Sequence, residues 1–225
     1  MDIFYSIVNF FVRGGAFMFP ILLVAAVGAA IAIERYVTLT RVGARNRAAW
    51  ARVEPALLRG EFDKARELTS KDDTVIARLL SIGLALQGTV RRRDDVEKAM
   101  EESMMESIPL LQKRTHYLAT FANLATLLGL LGTVSGLIHA FAAVATVNPA
   151  EKANLLSASI SEAMNCTAFG LMVAVPMLFV HAFLQTKSSQ MIDGLETAAI
   201  KFLNALTTRA TAKVQAARIE PARAA

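Results

Sequence analysis

The chain has 225 residues, 54% of them hydrophobic and 19% charged, with a mean hydropathy of +0.42. That is too apolar for an ordinary soluble domain of this length. The single cysteine, Cys166, excludes an internal disulfide, and the net charge of +5 does not point to nucleic acid, because the basic residues lie where membrane topology would put them.

The first segment, 1–13, begins MDIFYSIVNFFV. Asp2 stands where a leader would carry basic residues, and no small-residue cleavage site precedes Glu34 and Arg35, so a signal peptide is not expected. Ile3, Phe4, Ile7, Val8 and Phe11 follow helical spacing and predict an amphipathic helix at the membrane surface. From Gly14 to Ile33 there is no charge. A transmembrane helix needs about 20 apolar residues to cross about 30 Å of hydrocarbon. A first span is therefore expected over 14–37, interrupted by Pro20 near its outer end and closing at IAIERYVTL, with Glu34 and Arg35 at the inner interface.

Residues 38–114 read as a helical domain outside the membrane. ARNRAAWARVEPALLRGEFDKARELTS carries apolar residues at helical intervals with a break at Gly60, and TVIARLLSIGLALQG and DDVEKAMEESMMESIPLLQKR follow. Arg91, Arg92 and Arg93 could meet anionic lipid head groups. The acids that follow in RRRDDVEKAMEE favour a solvated helical face instead. Only Pro109 interrupts the run into the next apolar segment. A helix from Asp94 to Val147 would be about 80 Å long at about 1.5 Å per residue, well over the membrane thickness.

The second and third spans are expected within 115–186. Thr115 to Ala150 and Ala163 to Thr186 are free of charge, and Asn148-Pro149 marks the short turn between the spans. Residues 187–225 continue as a helix with few breakers apart from Gly194, ending in a tail, IEPARAA, expected to be disordered. The fold class is all-α: an integral membrane protein with three transmembrane helices and long cytoplasmic helical extensions. Sixteen of the 24 Lys and Arg fall in 35–114 and six in 187–225. Those nearest the spans agree: Arg35, Arg41, Arg45 and Arg47, then Lys113 and Arg114, then Lys187. The positive-inside rule then puts the N-terminus outside and the long loop and C-terminus in the cytoplasm.

The most informative stretch is LATLLGLLGTVSGLIHAF, Leu124 to Phe141. Thr126, Gly129, Thr133, Gly136 and Ala140 recur at steps of three and four and share one helix face, and Gly132 and Gly136 form a GxxxG pair. Ala163, Thr167, Gly170 and Ala174 make a matching face on the third span, with His181 near its inner end. Small residues let helices approach closely in lipid, so plain packing is one reading of Gly129, Gly132, Gly136 and Gly170. Thr133, Thr167 and Thr126 are candidates for a polar path, against the habit of threonine of returning its hydroxyl to its own backbone. Glu162 lies one turn outside Thr167. An ionisable group beside a span is a functional candidate, weighed against an interfacial carboxylate or a helix cap.

LATFANLATLLGLLGTVSGLIHAF followed by SISEAMNCTAFGLMVAVPMLFVHAF resembles the MotA/TolQ/ExbB proton-channel family, and the ExbB/TolQ branch best. The likeness extends from Gly14 to Leu206. It departs at Thr126, where the family commonly has proline, at Ser161 and at Asn165-Cys166; Thr133, Glu162 and Thr167 match the family's functional positions. The resemblance implies a homo-oligomeric ring of five copies around a dimer of single-span ExbD/TolR-like partners that carry a membrane aspartate. It further implies a TonB/TolA-like protein as recipient of the work, a place in the bacterial inner membrane, and conversion of proton-motive force into mechanical work. The stripe would then be the pore face, and the first helix, lacking one, would face lipid.

Two other readings compete. One is a non-conducting membrane scaffold in which the stripe only packs a helical bundle. The other, a membrane enzyme, lacks a visible nucleophile–base pair, a cofactor loop or a metal cluster, and Cys166 reads as a small buried thiol. No enzyme activity, cofactor, metal or nucleic-acid partner is expected.

Overall fold

The computed structural model describes residues 15–87 and 93–223, with side chains described through Arg209. The surface helix expected over 1–13, and Arg91 and Arg92, lie outside the described residues. Among the described residues there are six helices: α1 (Met18–Leu58), α2 (Phe62–Ser70), α3 (Val75–Leu86), α4 (Arg93–Gln112), α5 (Thr115–Thr146) and α6 (Lys152–Arg223). Among the described residues, three helical stretches are long and apolar enough to cross a membrane, in Met18–Leu58, Arg93–Thr146 and Lys152–Arg209. The protein is an all-helical membrane protein.

Several boundaries differ from the sequence expectation. Pro20 does not interrupt the first span. It sits in the first turn of α1, where its missing N–H would have had no intrahelical partner. The helix runs on past the expected end of the span at residue 37, through Pro55 to Leu58. At about 1.5 Å per residue its 41 residues reach about 60 Å, about twice the hydrocarbon thickness. Pro109 lies inside α4, and the break comes later, at Lys113-Arg114. Arg114 has φ 62°, a left-handed conformation that a non-glycine residue adopts at a cost of about 1–2 kcal/mol. The expected 80 Å rod is therefore two helices. At the other end of the chain the backbone stays helical to Arg223, so most of the tail is not the disordered segment expected. The segment that leads into it, TRATAKVQAAR, is rich in Ala, Arg, Lys and Gln, which have high helix propensity.

The chain divides into two compact units. The span unit contains residues up to Tyr36 and Arg114–Gln185; the second, extramembrane unit contains Val37–Lys113 and residues from Thr186 on. The extramembrane unit has an ordinary bulky core. Phe202 is fully buried at its centre, with Phe62, Leu79, Leu80, Leu84, Met100, Leu195 and Leu203 around it. The Phe62 and Phe202 rings meet edge to face at 6.5 Å. Gly83 gives Phe202 room: a Cβ there would collide with that ring and lie 2.8 Å from Met100 Sδ.

Polar contacts fix the helix ends of this unit. Gly60 takes φ 72° and turns the chain from α1 into α2. The Thr74 hydroxyl caps α3 by accepting from Ala77 N at 3.4 Å. Asp72 accepts from Thr74 N and pairs with Arg52 at 2.8 Å. Glu67 accepts from Lys71 at 2.6 Å, one turn on, and that hydrogen bond holds its carboxyl below the usual range.

The span unit inverts this pattern. Leu127, Leu130, Leu131, Ile138, Phe141, Met172, Val175 and Phe179 are exposed, while Ala122, Ala125, Gly129, Gly132, Ala163 and Ala174 are buried. Large side chains turn outward and small ones inward, as expected where the solvent is hydrocarbon.

A helix crossing that carries hydroxyls

The candidate site is the crossing of α5 and α6 in the span unit. The glycines set its closeness. A Cβ on Gly170 would lie 2.7 Å from the Ala125 carbonyl oxygen and 3.1 Å from Gly129 Cα. A Cβ on Gly129 would lie 3.2 Å from Thr167 Cα. Farther along, Gly132 accommodates the Cys166 thiol, and a Cβ on Gly136 would lie 2.8 Å from Ala163 Cβ. These pairs fix an antiparallel register. With Gly132 opposite Cys166 and Gly136 opposite Ala163, Thr133 stands about level with Asn165.

One hydrogen bond crosses between the two helices here. Thr167 Oγ1 donates to the Gly129 carbonyl at 2.8 Å. In an α-helix that carbonyl also accepts from the N–H four residues on, which is Thr133. Thr167 and Thr133 thus meet on one acceptor, one through its side chain and the other through its backbone. The hydroxyls of Thr133 and Thr126 turn back onto their own helix, to Leu130 O at 2.6 Å and Ala122 O at 3.1 Å. Thr133 and Thr167 are both half-buried, and Cys166 is 1% exposed.

Glu162 is exposed and lies ten residues inside α6, so it is not a cap of that helix. Its carboxylate comes to Gly15, whose φ is +76° and where a Cβ would stand 2.5 Å from Oε1. The left-handed φ is what favours glycine there, since the carboxylate is the flexible end of an exposed side chain and can swing aside.

The eight residues singled out in the sequence fall in one region, with different orientations. Gly129, Gly132 and Gly170 are buried in the α5–α6 contact and Gly136 lies against Ala163, so the glycine part of the stripe packs against the chain's own neighbouring helix. The first helix is not a bystander that only meets lipid. Met18, Ile21 and Val24 are buried, Phe17 Cβ approaches Gly132, and Gly28 accommodates the end of Met177. Sequence reasoning passed over Gly28 and its neighbours Ala25, Ala29 and Ala32, although their spacing is a small-residue stripe of its own. It also gave Cys166 no structural partner, though 163, 166, 170 and 174 share a helical period.

Within the span unit, Arg114 pairs with Glu34 at 3.0 Å. Among the described residues, no group of three or more His, Cys, Asp or Glu is placed to hold a metal ion.

Comparison with known proteins agrees with this architecture. The sequence profile of the MotA/TolQ/ExbB proton channel family matches residues 71–197. An ExbB-like biopolymer transport protein of Synechocystis sp. is 32% identical over 189 residues, covering 81% of this chain and 72% of the relative. The Tol-Pal system protein TolQ of Haemophilus influenzae is 31% identical over 55% of this chain and 49% of its own length. The biopolymer transport protein ExbB of Xanthomonas campestris is 30% identical over 48% of this chain and 43% of its own. The chain thus spans less than half the length of these last two relatives. With three apolar helices, a close glycine-lined crossing of the second and third, and a profile match over more than half its length, this chain belongs to the MotA/TolQ/ExbB proton channel family, on its ExbB/TolQ side.

Proposed function

We propose that the protein is the channel-forming motor subunit of an inner-membrane complex that converts proton-motive force into mechanical work. In this reading five copies form a ring around two single-span partners of the ExbD/TolR kind. A membrane carboxyl on the partner titrates beside the α5–α6 crossing, and the movement is passed to a TonB/TolA-like protein. The N-terminus is periplasmic, and the extramembrane unit is cytoplasmic. The chain performs no covalent chemistry of its own. The observation that carries the proposal is the Thr167–Gly129 hydrogen bond, with Thr133 one turn further along α5. It gives a charge-free span region a set of oriented hydroxyls and a shared carbonyl, yet no carboxylate. Such a set can solvate or relay a proton that another helix brings, and cannot bind one stably by itself.

The packing reading has an observation of its own. All three threonine hydroxyls are engaged within the chain, two on their own helix and one on the neighbouring helix. A scaffold without conduction would use Thr167 only as an interhelical bond.

Thr133→Val and Thr167→Val separate the two, because each keeps the side-chain shape and removes the hydroxyl. The full chain is co-expressed with its single-span partner, and proton-coupled work is measured beside ring assembly. The proton-path proposal expects normal assembly and at least tenfold lower work for both variants. Normal work by both variants would falsify the relay role. Gly132→Leu is the contrast: in a scaffold it does the greater harm, and the threonine variants do little.

A further inference from the structure

We propose that a cavity of about 300 Å³ in the extramembrane unit is a binding site for a phosphoester anion, supplied by the head group of an anionic phospholipid. It lies between the continuation of α1, the continuation of α6 and the start of α3. Its walls carry Arg47 and Lys187 as cations, Asn46, Thr40 and Gln190 as neutral polar groups, and Trp50 as the aromatic face. The remaining lining residues are Leu39, Ile76, Met191, Leu195 and two glycines, and no acid is among them.

Three observations select the ligand class. The first is charge. Two cations facing one space without an acid leave a field that an anion neutralises. The acids nearest in sequence to the two cations, Glu54 and Asp193, are not in the wall, and Glu54 is paired with Lys201 at 2.5 Å. Lys187 is held in place, donating to Thr40 Oγ1 at 2.6 Å.

The second is Asn46. Its side chain is 8% exposed, lines the cavity, and its Oδ1 has no hydrogen-bond partner among the described residues. A buried amide oxygen left unsatisfied is costly, so the site asks for a ligand with a donor beside its anion. A head group with hydroxyls next to its phosphate has that pair.

The third is position along the chain. Lys187, Leu39 and Thr40 stand within about one helical turn of the ends of the apolar segments. That is the depth of the head-group layer, about 5–8 Å thick on each side of the hydrocarbon. The apolar lining of Leu39, Ile76, Met191 and Leu195 accommodates the glycerol end of a lipid better than a free phosphate, which would leave that surface wet. This site is separate from the α5–α6 crossing and does not depend on the proton-path reading.

Trp50 is the only tryptophan of the chain, so the unmodified protein reports on its own cavity. The full-chain oligomer is placed in phosphatidylcholine nanodiscs doped with rising phosphatidylglycerol, and Trp50 emission is followed. The expected result is a saturable shift. The combined Arg47→Gln and Lys187→Gln variant weakens it at least tenfold, Asn46→Leu about threefold, and Arg45→Gln, whose cation is not in the wall, leaves it unchanged. Glycerol 3-phosphate is added separately to pure phosphatidylcholine discs. A saturable shift there, lost in the same double variant, overturns the lipid source in favour of a soluble phosphoester. A shift that survives the double variant overturns the site. Native mass spectrometry of the unmodified oligomer guards against misfolded variants: retention of phosphatidylcholine and phosphatidylglycerol alike overturns the proposal without any substitution.

Discussion

The two units solve the same problem, holding helices together, with opposite residues. In the extramembrane unit the contact is made by volume. Phe202, Leu80 and Leu84 are fully buried and their neighbours close around them. In the span unit the α5–α6 contact is made by the lack of volume, since Gly129, Gly132 and Gly170 bring two backbones together while leucines and phenylalanines point away. Water rewards burial of apolar area at about 25 cal/mol per Å², so a large side chain inside is worth most there. Hydrocarbon offers no such reward. Only close dispersion contact and hydrogen bonds such as that of Thr167 favour association, and those need small residues.

Opposite substitutions should therefore do the damage in each unit. The largest effect is expected from Phe202→Ala, which empties the centre of the extramembrane core. Its cost should be about 3–5 kcal/mol, read from chemical unfolding of the detergent-solubilised chain by circular dichroism. A loss under about 1 kcal/mol would show that this unit is not held by its core.

In the span unit, enlargement replaces truncation as the harmful change. At Gly170 a Cβ already falls 2.7 Å from a backbone oxygen, which cannot swing aside as a flexible side chain can. Gly170→Leu should cost about 3 kcal/mol, at the top of the usual overpacking range, and should loosen the α5–α6 contact. Disulfide trapping between cysteines placed at facing positions of α5 and α6 reads that separation directly. Unchanged trapping would mean that the small residues are not what sets the approach.

Thr167 gives a smaller and more selective effect. Thr167→Val deletes one interhelical bond, worth about 0.6 kcal/mol on average inside a membrane and at most about 1.7. Thr133→Val deletes a bond within one helix and should change stability by less than about 0.5 kcal/mol. A difference between the two in melting temperature, together with an equal loss of proton-coupled work, would separate packing from conduction in one pair of proteins.

Much of this contrast was legible in the sequence. The uncharged runs marked the spans, and the step of three and four placed Gly129, Thr133 and Gly136 on one face. What that face meets was not legible, because a tight contact and a narrow polar path call for the same small and hydroxylated residues. The Thr167–Gly129 bond was hidden for a related reason: its acceptor is a backbone carbonyl, and glycine advertises no acceptor of its own. Helix ends were read well where glycine marks them, as at Gly60. They were misplaced at Arg114, where a bulky cation adopts the left-handed conformation, and at Pro20 and Pro109, where proline sits inside a helix that does not stop. The cavity around Trp50 left no trace in the sequence, since its lining comes from three segments whose spacing carries no motif.

The smallest predicted effect tests the comparison from the other side. Gly194 is a helical glycine of α6 in the extramembrane unit, and a Cβ there would meet nothing within 4 Å. Gly170 lies on the same helix, in the span unit, pressed against a backbone. If glycine served α6 in general, both alanine variants would weaken the protein. If closeness to a second backbone is what matters, Gly194→Ala should stabilise by about 0.4–1 kcal/mol, because alanine restricts the unfolded chain and suits the helix. Gly170→Ala should destabilise, since its neighbour is a carbonyl oxygen. Opposite signs in two melting curves would place the requirement in the crossing and not in the helix, and would leave Gly194 as a position where the chain has room.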